Sequence, residues 1–144
     1  YVNEFMQNAH KSTIKEYVTA LVNAGLLNVY KIVCYNVYCI AGTPRRRAIE
    51  LLLLSLNIPY RAVYEDVRNI TYSTKSKRVW ISRDKLLHRY EHFMDARRLS
   101  IARAVAFEYV KELAPGGELV VVSKNRIYYV IDKAEAIKAL KQYA

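Results

Sequence analysis

Apolar side chains recur along this chain at two different periods, and the order in which the periods alternate predicts its elements. Val2, Phe5, Met6 and Ala9 fall at helical spacing and predict a short opening helix over 2–9. His10-Lys11-Ser12 interrupts that face. A second helix is expected to start at Thr13, with Glu16 completing a capping box that satisfies otherwise orphan amides. Ile14, Val18 and Leu21 form its apolar stripe, and Gly25 is placed to end it in a left-handed cap. Tyr30-Lys31-Ile32-Val33 and Val37-Tyr38-Cys39-Ile40 read as the arms of a hairpin. Thr43 is positioned to cap the next helix, about 45–56, and Pro44 suits its first turn, where no intrahelical donor is needed. The second half of that helix is apolar nearly all round, which predicts a strut buried on more than one side.

Past Asn57 and Pro59 the periodicity weakens. Residues 60–67 and 69–73 contain strand-like stretches, Lys75-Ser76-Lys77 reads as an exposed turn, and 78–81 as a strand. Helices over 84–97 and 100–114 follow, stopped by Pro115-Gly116-Gly117, and then a second hairpin. Asp132 and Glu135 make another capping box, opening a last helix in which Ile137, Leu140 and Ala144 share a face.

One feature organises these elements. Glu16-Tyr17-Val18 is followed by Leu21, Gly25 and Leu27, and Glu108-Tyr109-Val110 by Leu113, Gly117 and Leu119 at the same offsets. Each set runs on into an apolar, β-branched stretch interrupted by a polar pair, Tyr35-Asn36 in one and Lys124-Asn125 in the other. A helix, a glycine stop and a hairpin are therefore used twice, and such a repeat sets the architecture. The expected fold is α/β in the α+β sense, with a first unit over 1–42, a central helix and β linker over 43–77, and a second unit with a C-terminal helix over 78–144.

Composition narrows the partner. The chain has 144 residues, 53% of them apolar, which is ample for a packed core. Its 23 Lys and Arg against 13 acids give a formal charge of +10, which points to a polyanion, nucleic acid first. The longest apolar run, 49–56, is broken by Glu50 and Ser55 and falls far short of the roughly 20 residues that span a bilayer, so no membrane partner is expected. Thirteen Tyr, few Gly and Pro, and abundant Arg, Lys and Glu suggest a thermophilic source. The first residue is Tyr1 rather than Met, so the natural N-terminus is expected upstream and a targeting segment stays open.

The order helix, helix, glycine stop, hairpin resembles the winged helix-turn-helix family of DNA-binding proteins. The likeness is closest over 2–40, where Ser12-Thr13-Ile14, Val18, Leu21 and Ala24-Gly25-Leu26-Leu27 follow the family's recognition-helix pattern. In physical terms the pattern holds a helix by its apolar stripe and leaves its first turn free to enter a major groove. The resemblance implies three-helix cores with β-hairpin wings, and it implies that Lys11, Ser12, Thr13, Lys15, Glu16 and Thr19 include the groove-facing residues. Tyr17 is open between core and groove. The family's first helix is absent from the start of the chain and is expected either upstream or from the helix over 44–57. Repeated helix-turn-helix words, tyrosine richness and basicity together resemble small regulators of archaeal viruses or mobile elements of hyperthermophiles. That likeness implies an intracellular protein, in the host cytoplasm if viral.

Arg45-Arg46-Arg47 is the densest basic run. Three cations at a helix N-terminus oppose the macrodipole, and a phosphate backbone would justify them, with a solvated surface as the alternative. Lys75, Lys77, Arg78, Lys124 and Arg126 read as weaker loop and wing contacts. The second repeat departs from the pattern where function would lie, because the segment from Ser100 to Phe107 is mostly apolar and offers little to base edges. It reads as structural or dimer-forming, and with the Ile137, Leu140 and Ala144 stripe it predicts a two-fold homodimer. Arg97, Arg98 and Arg103 stay open between phosphate contacts and a solvated face.

No catalytic constellation emerges, and neither a cofactor nor a metal is expected. His88-Arg89-Tyr90-Glu91-His92 fits the H-x-x-E-H string, but zinc hydrolysis also needs a third ligand and a larger surrounding enzyme, so these read as partly exposed helix histidines. Cys34 and Cys39 would face one another if Asn36-Val37 were the hairpin turn, which leaves a disulfide open. The expected function is a non-enzymatic, sequence-specific double-stranded DNA-binding protein acting as a transcriptional regulator. The alternatives are a winged-helix protein-interaction adaptor or a replication-initiator fragment.

Overall fold

A computed structural model describes the chain over residues 11–143, with side chains from Thr13 onward. The opening helix expected over 2–9 and the Ala144 end of the last stripe lie outside the described residues. The fold is mixed α+β, with five α-helices and two small antiparallel sheets among the described residues. It divides into two compact units, Tyr1–Ala48 and Ile49–Ala144.

In the first unit, helix α1 (Lys11–Asn23) is followed by β1 (Leu27–Ile32) and β2 (Tyr35–Ile40). Val18 is buried and Ile14 and Leu21 are half-buried, as the apolar stripe requires. The helix ends in a Schellman turn: the Leu26 amide donates to Leu21 O and the Gly25 amide to Val22 O, both at 3.0 Å, with Gly25 at φ +76°. The expected start is corrected. Lys11, Ser12 and Thr13 are already helical, so no break separates them, and Thr13 cannot cap because a capping residue needs non-helical backbone.

The hairpin register runs from Leu27 opposite Ile40 to Ile32 opposite Tyr35. The turn is therefore Val33-Cys34 and not Asn36-Val37, even though it sets the β-branched Val33 at φ 58°. That three-residue shift separates the cysteines. Cys39 pairs with Asn28 and is buried, Cys34 sits exposed in the turn, and both are free thiols. Beyond β2, Thr43 Oγ1 donates back to Ile40 O at 2.6 Å. Helix α2 (Arg45–Ser55) opens at Pro44, whose carbonyl accepts from Arg47 and Ala48. In α2, Ala48, Ile49, Glu50, Leu52 and Leu53 are buried, a broad arc of the helix, while Leu54 is 46% exposed.

The second unit continues with α3 (Tyr60–Ser73), β3 (Arg78–Ser82), short 3-10 turns at Arg83–Lys85 and His88–Tyr90, and α4 (Ala96–Leu113). The strands β4 (Glu118–Ser123) and β5 (Arg126–Asp132) and helix α5 (Lys133–Tyr143) complete it. The β linker expected over 60–73 is a helix. Val63, Val67 and Thr71 are spaced by four and fully buried, and burial of that stripe outweighs the β-propensity of the same residues. The helix expected over 84–97 does not form either. Leu87 takes φ 58°, which breaks any helical run, and its amide donates to the Asp66 carboxylate at 2.9 Å. Asp95 then caps α4 by accepting from the Arg98 amide at 2.9 Å.

The sheet order is β3-β5-β4, all antiparallel, with Val79 opposite Ile131 and Leu119 opposite Tyr129. Val63, Val67, Val79, Ile81, Leu86, Leu87, Val105, Val110 and Ile131 make up much of the core. Much of the apolar surface assigned to a dimer face belongs there as well, although Ile101, Ala104 and Ile137 are half-buried. Ala102, Val105, Ala106 and Phe107 are buried, and Leu140 is 2% exposed. Helix, glycine and hairpin nevertheless follow one another twice, as α1-Gly25-β1-β2 and as α4-Gly116-β4-β5.

Candidate nucleic-acid interface

The solvent side of α1 follows from its buried side. With Val18 inward, Thr13, Lys15, Glu16 and Thr19 are all exposed, while Lys11 and Ser12 belong to the same helix but their side chains lie outside the description. Tyr17 is 51% exposed, which places it with the solvent-facing residues and not with the core. Lys15, Glu16, Thr19, Ala20 and Asn23 line a shallow depression of about 360 Å³. Thr19 Oγ1 donates to Lys15 O at 2.8 Å, so its hydrogen is committed to the helix and its lone pairs remain for a partner. The face thus offers an ammonium, a carboxylate and hydroxyls, the donor and acceptor mixture that base edges require.

The arginine run opens α2. Arg45 is half-buried and its Nη1 donates to Lys31 O at 3.3 Å, which ties the start of α2 to the end of β1. Arg46 and Arg47 are exposed beside it. Tyr30 reinforces the same corner, its hydroxyl donating to Thr43 O at 2.5 Å. The cations at this helix start are therefore partly a fold element.

In the second unit several basic side chains are consumed internally. Arg103 donates through Nε to Leu86 O and through Nη2 to Glu91, both at 2.8 Å, and so holds the 3-10 segment against α4. The Arg103 hydrogen bond, together with His88, holds the Glu91 carboxyl below its ordinary range against some desolvation. Arg78 pairs with Glu118 across the sheet, and Lys133 donates to Thr74 O. Arg97, Arg98, Lys124 and Arg126 remain exposed. His88 lies in a 3-10 turn with Nδ1 3.1 Å from Glu91, so the two histidines do not share the helix face that the motif needs. Among the described residues, no group of three or more His, Cys, Asp or Glu could hold a metal ion, and no helix is long and apolar enough to cross a membrane.

One concave feature escaped the sequence reading. Arg61, Tyr64, Arg68 and Tyr72 lie on one side of α3 and line a cavity with residues of α5. Their spacing of three, four and four is a helical signal, offset in the sequence by the β-propensity of Val63, Val67, Ile70 and Thr71 on the same segment. Compared with known proteins, the chain matches no family model, no curated protein and no solved structure.

Proposed function

We propose that this chain is a non-enzymatic, sequence-specific double-stranded DNA-binding protein that acts as a transcriptional regulator inside the cell. The exposed face of α1 would read base edges, and Arg46 and Arg47 would hold the phosphate backbone. A single observation carries the reading: a helix anchored by Ile14, Val18 and Leu21 leaves Thr13, Lys15, Glu16 and Thr19 open ahead of a glycine stop and a hairpin, on a chain of charge +10. That arrangement supports a winged-helix unit, and its recurrence at α4 supports a tandem. Anisotropy titrations against random duplex over a range of salt, followed by selection of preferred sites, test the proposal. A steep salt dependence and one enriched motif are expected; binding with no enrichment would reduce the protein to a backbone binder.

A second reading rests on β4. It is an edge strand whose Leu119, Val121 and Val122 are 53%, 61% and 56% exposed, an apolar edge of the kind that accepts another strand. Glu118 at one end and Lys124 just past the other suit antiparallel pairing with a second copy, in which acid would meet base at both ends. The register shift between Val121 and Ser123 limits the paired stretch. A homodimer through β4 therefore replaces one through α4 and Leu140.

A further inference from the structure

Arg61, Tyr64, Arg68 and Tyr72 share one face of α3 and, with Lys141 and Tyr143 at the end of α5, line a cavity of about 430 Å³ within the second unit. Three of these side chains are cations, and among the described residues no acidic side chain lines the cavity. The acids of the same helix, Glu65 and Asp66, are engaged elsewhere by Arg89. Like charges gathered around one concavity repel one another, and an anion relieves that repulsion while gaining a focused positive potential. Arginine adds a planar donor fork that matches phosphate oxygens.

The aromatic half of the cavity is held in place. The Tyr64 and Tyr143 rings lie 4.7 Å apart at 33°, and the Tyr64 hydroxyl donates to Leu140 O at 3.4 Å. Behind them the Tyr143 and Tyr109 hydroxyls meet at 2.5 Å, and Tyr109 donates to the buried Glu50 at 2.6 Å. This wall is therefore anchored to the interior and needs little ordering when a ligand arrives. Tyr72 also lines the cavity, 50% exposed, with the Arg68 guanidinium 5.8 Å from its ring centroid. An exposed phenol beside a guanidinium is a stacking surface for a flat heterocycle.

We infer that this cavity binds a nucleoside phosphate, its phosphate held by Arg61, Arg68 and Lys141 and its base laid against Tyr72. The volume falls within the range of about 300–1,000 Å³ of small-ligand pockets, and inorganic phosphate alone would leave most of it empty. The site belongs to the second unit and does not depend on how α1 meets DNA.

Calorimetric titration at low salt with AMP, ATP, adenosine, inorganic phosphate and a short single-stranded oligonucleotide tests it. AMP and ATP are expected to saturate at one per chain, with adenosine and phosphate each at least about tenfold weaker than AMP, a difference of about 1.4 kcal/mol. Arg68→Ala and Tyr72→Ala, both at exposed positions, are each expected to weaken AMP about fivefold or more with unchanged melting temperatures. An Arg97→Ala, Arg98→Ala control on the same unit should leave AMP binding intact. Phosphate binding as tightly as AMP, equal loss in the control, or saturation by the oligonucleotide alone would each overturn the inference.

Discussion

At the scale of single residues, two side chains show how polar atoms are placed against packed backbone. Tyr129 donates its hydroxyl to Ala114 O at 2.5 Å and accepts from the Gly117 amide at 2.9 Å, pinning the passage from α4 to β4. A Cβ at Gly117 would meet Tyr129 Cζ at 2.5 Å and Val130 O at 2.8 Å, and backbone cannot yield as a flexible side chain can. Gly117→Ala is therefore expected to cost about 1–3 kcal/mol, read as a lowered melting temperature. Gly117, one of the glycines that revealed the repeat, is needed for close approach and not for a positive φ. Glu91 offers a pH test. Its hydrogen bond from Arg103 lowers its folded pKa, so its contribution to stability is present above the ordinary carboxylate range and is lost as pH falls through the depressed value. Glu91→Gln should be less stable than the parent at neutral pH, and the two unfolding curves should converge in strong acid. Curves that stay parallel throughout would remove Glu91 from the acid response.

At the scale of elements, α1 and the start of α2 can be separated by experiment. Thr13→Ala, Lys15→Ala and Glu16→Ala are expected to change the preferred DNA site, each losing roughly 1–3 kcal/mol of discrimination if it removes a good base contact. Site selection with the three variants checks this, and an unchanged motif in all of them would exclude α1 as the reader. Arg46→Ala with Arg47→Ala should instead weaken binding to every duplex and flatten the salt slope by up to about two charges, each worth roughly 0.9. Arg45→Ala carries a further expectation. Because it bonds Lys31 O, its loss should lower stability as well as affinity, which a melting curve would register. The elements themselves were unevenly legible. The α1 stop at Gly25, the hairpins and α5 follow from local signals that need no partner, namely glycine, alternation and capping residues. Helix α3 was illegible because Val63, Val67, Ile70 and Thr71 carry β-propensity and helical spacing at once, and only the packed stripe chooses between them.

At the scale of the whole molecule, much of the surface expected to form a dimer is core. Leu140 is 2% exposed, so Leu140→Asp is expected to unfold the second unit, costing about 4 kcal/mol or more, instead of splitting a dimer. Val121→Lys on the exposed edge of β4 should keep the fold and abolish self-association if copies pair there. Sedimentation of parent and variant at matched concentration decides it: a parent that is monomeric at high concentration in low and moderate salt removes the homodimer.

What the sequence determined alone was local or summed: the repeated helix, glycine and hairpin, the inward stripe of α1, and the positive charge, each set by neighbouring residues or by composition. It also placed Thr13, Lys15, Glu16 and Thr19 correctly on the outside, since an apolar stripe defines its own opposite face. The tertiary structure decided where apolar surplus goes and which cations are occupied. The α4 stripe and Leu140 looked like an interface only because the strands and helix that cover them are distant in sequence. Arg103, open in the sequence between a phosphate contact and a solvated face, is engaged by Leu86 and Glu91, and Arg45 also bonds Lys31 O. The cavity of Arg61, Arg68 and Lys141 required both a helix over 60–73 and the approach of α5, and no local pattern encodes that approach. Burial and partner choice depend on contacts between segments far apart in the chain, whereas periodicity reports only what each segment would do by itself.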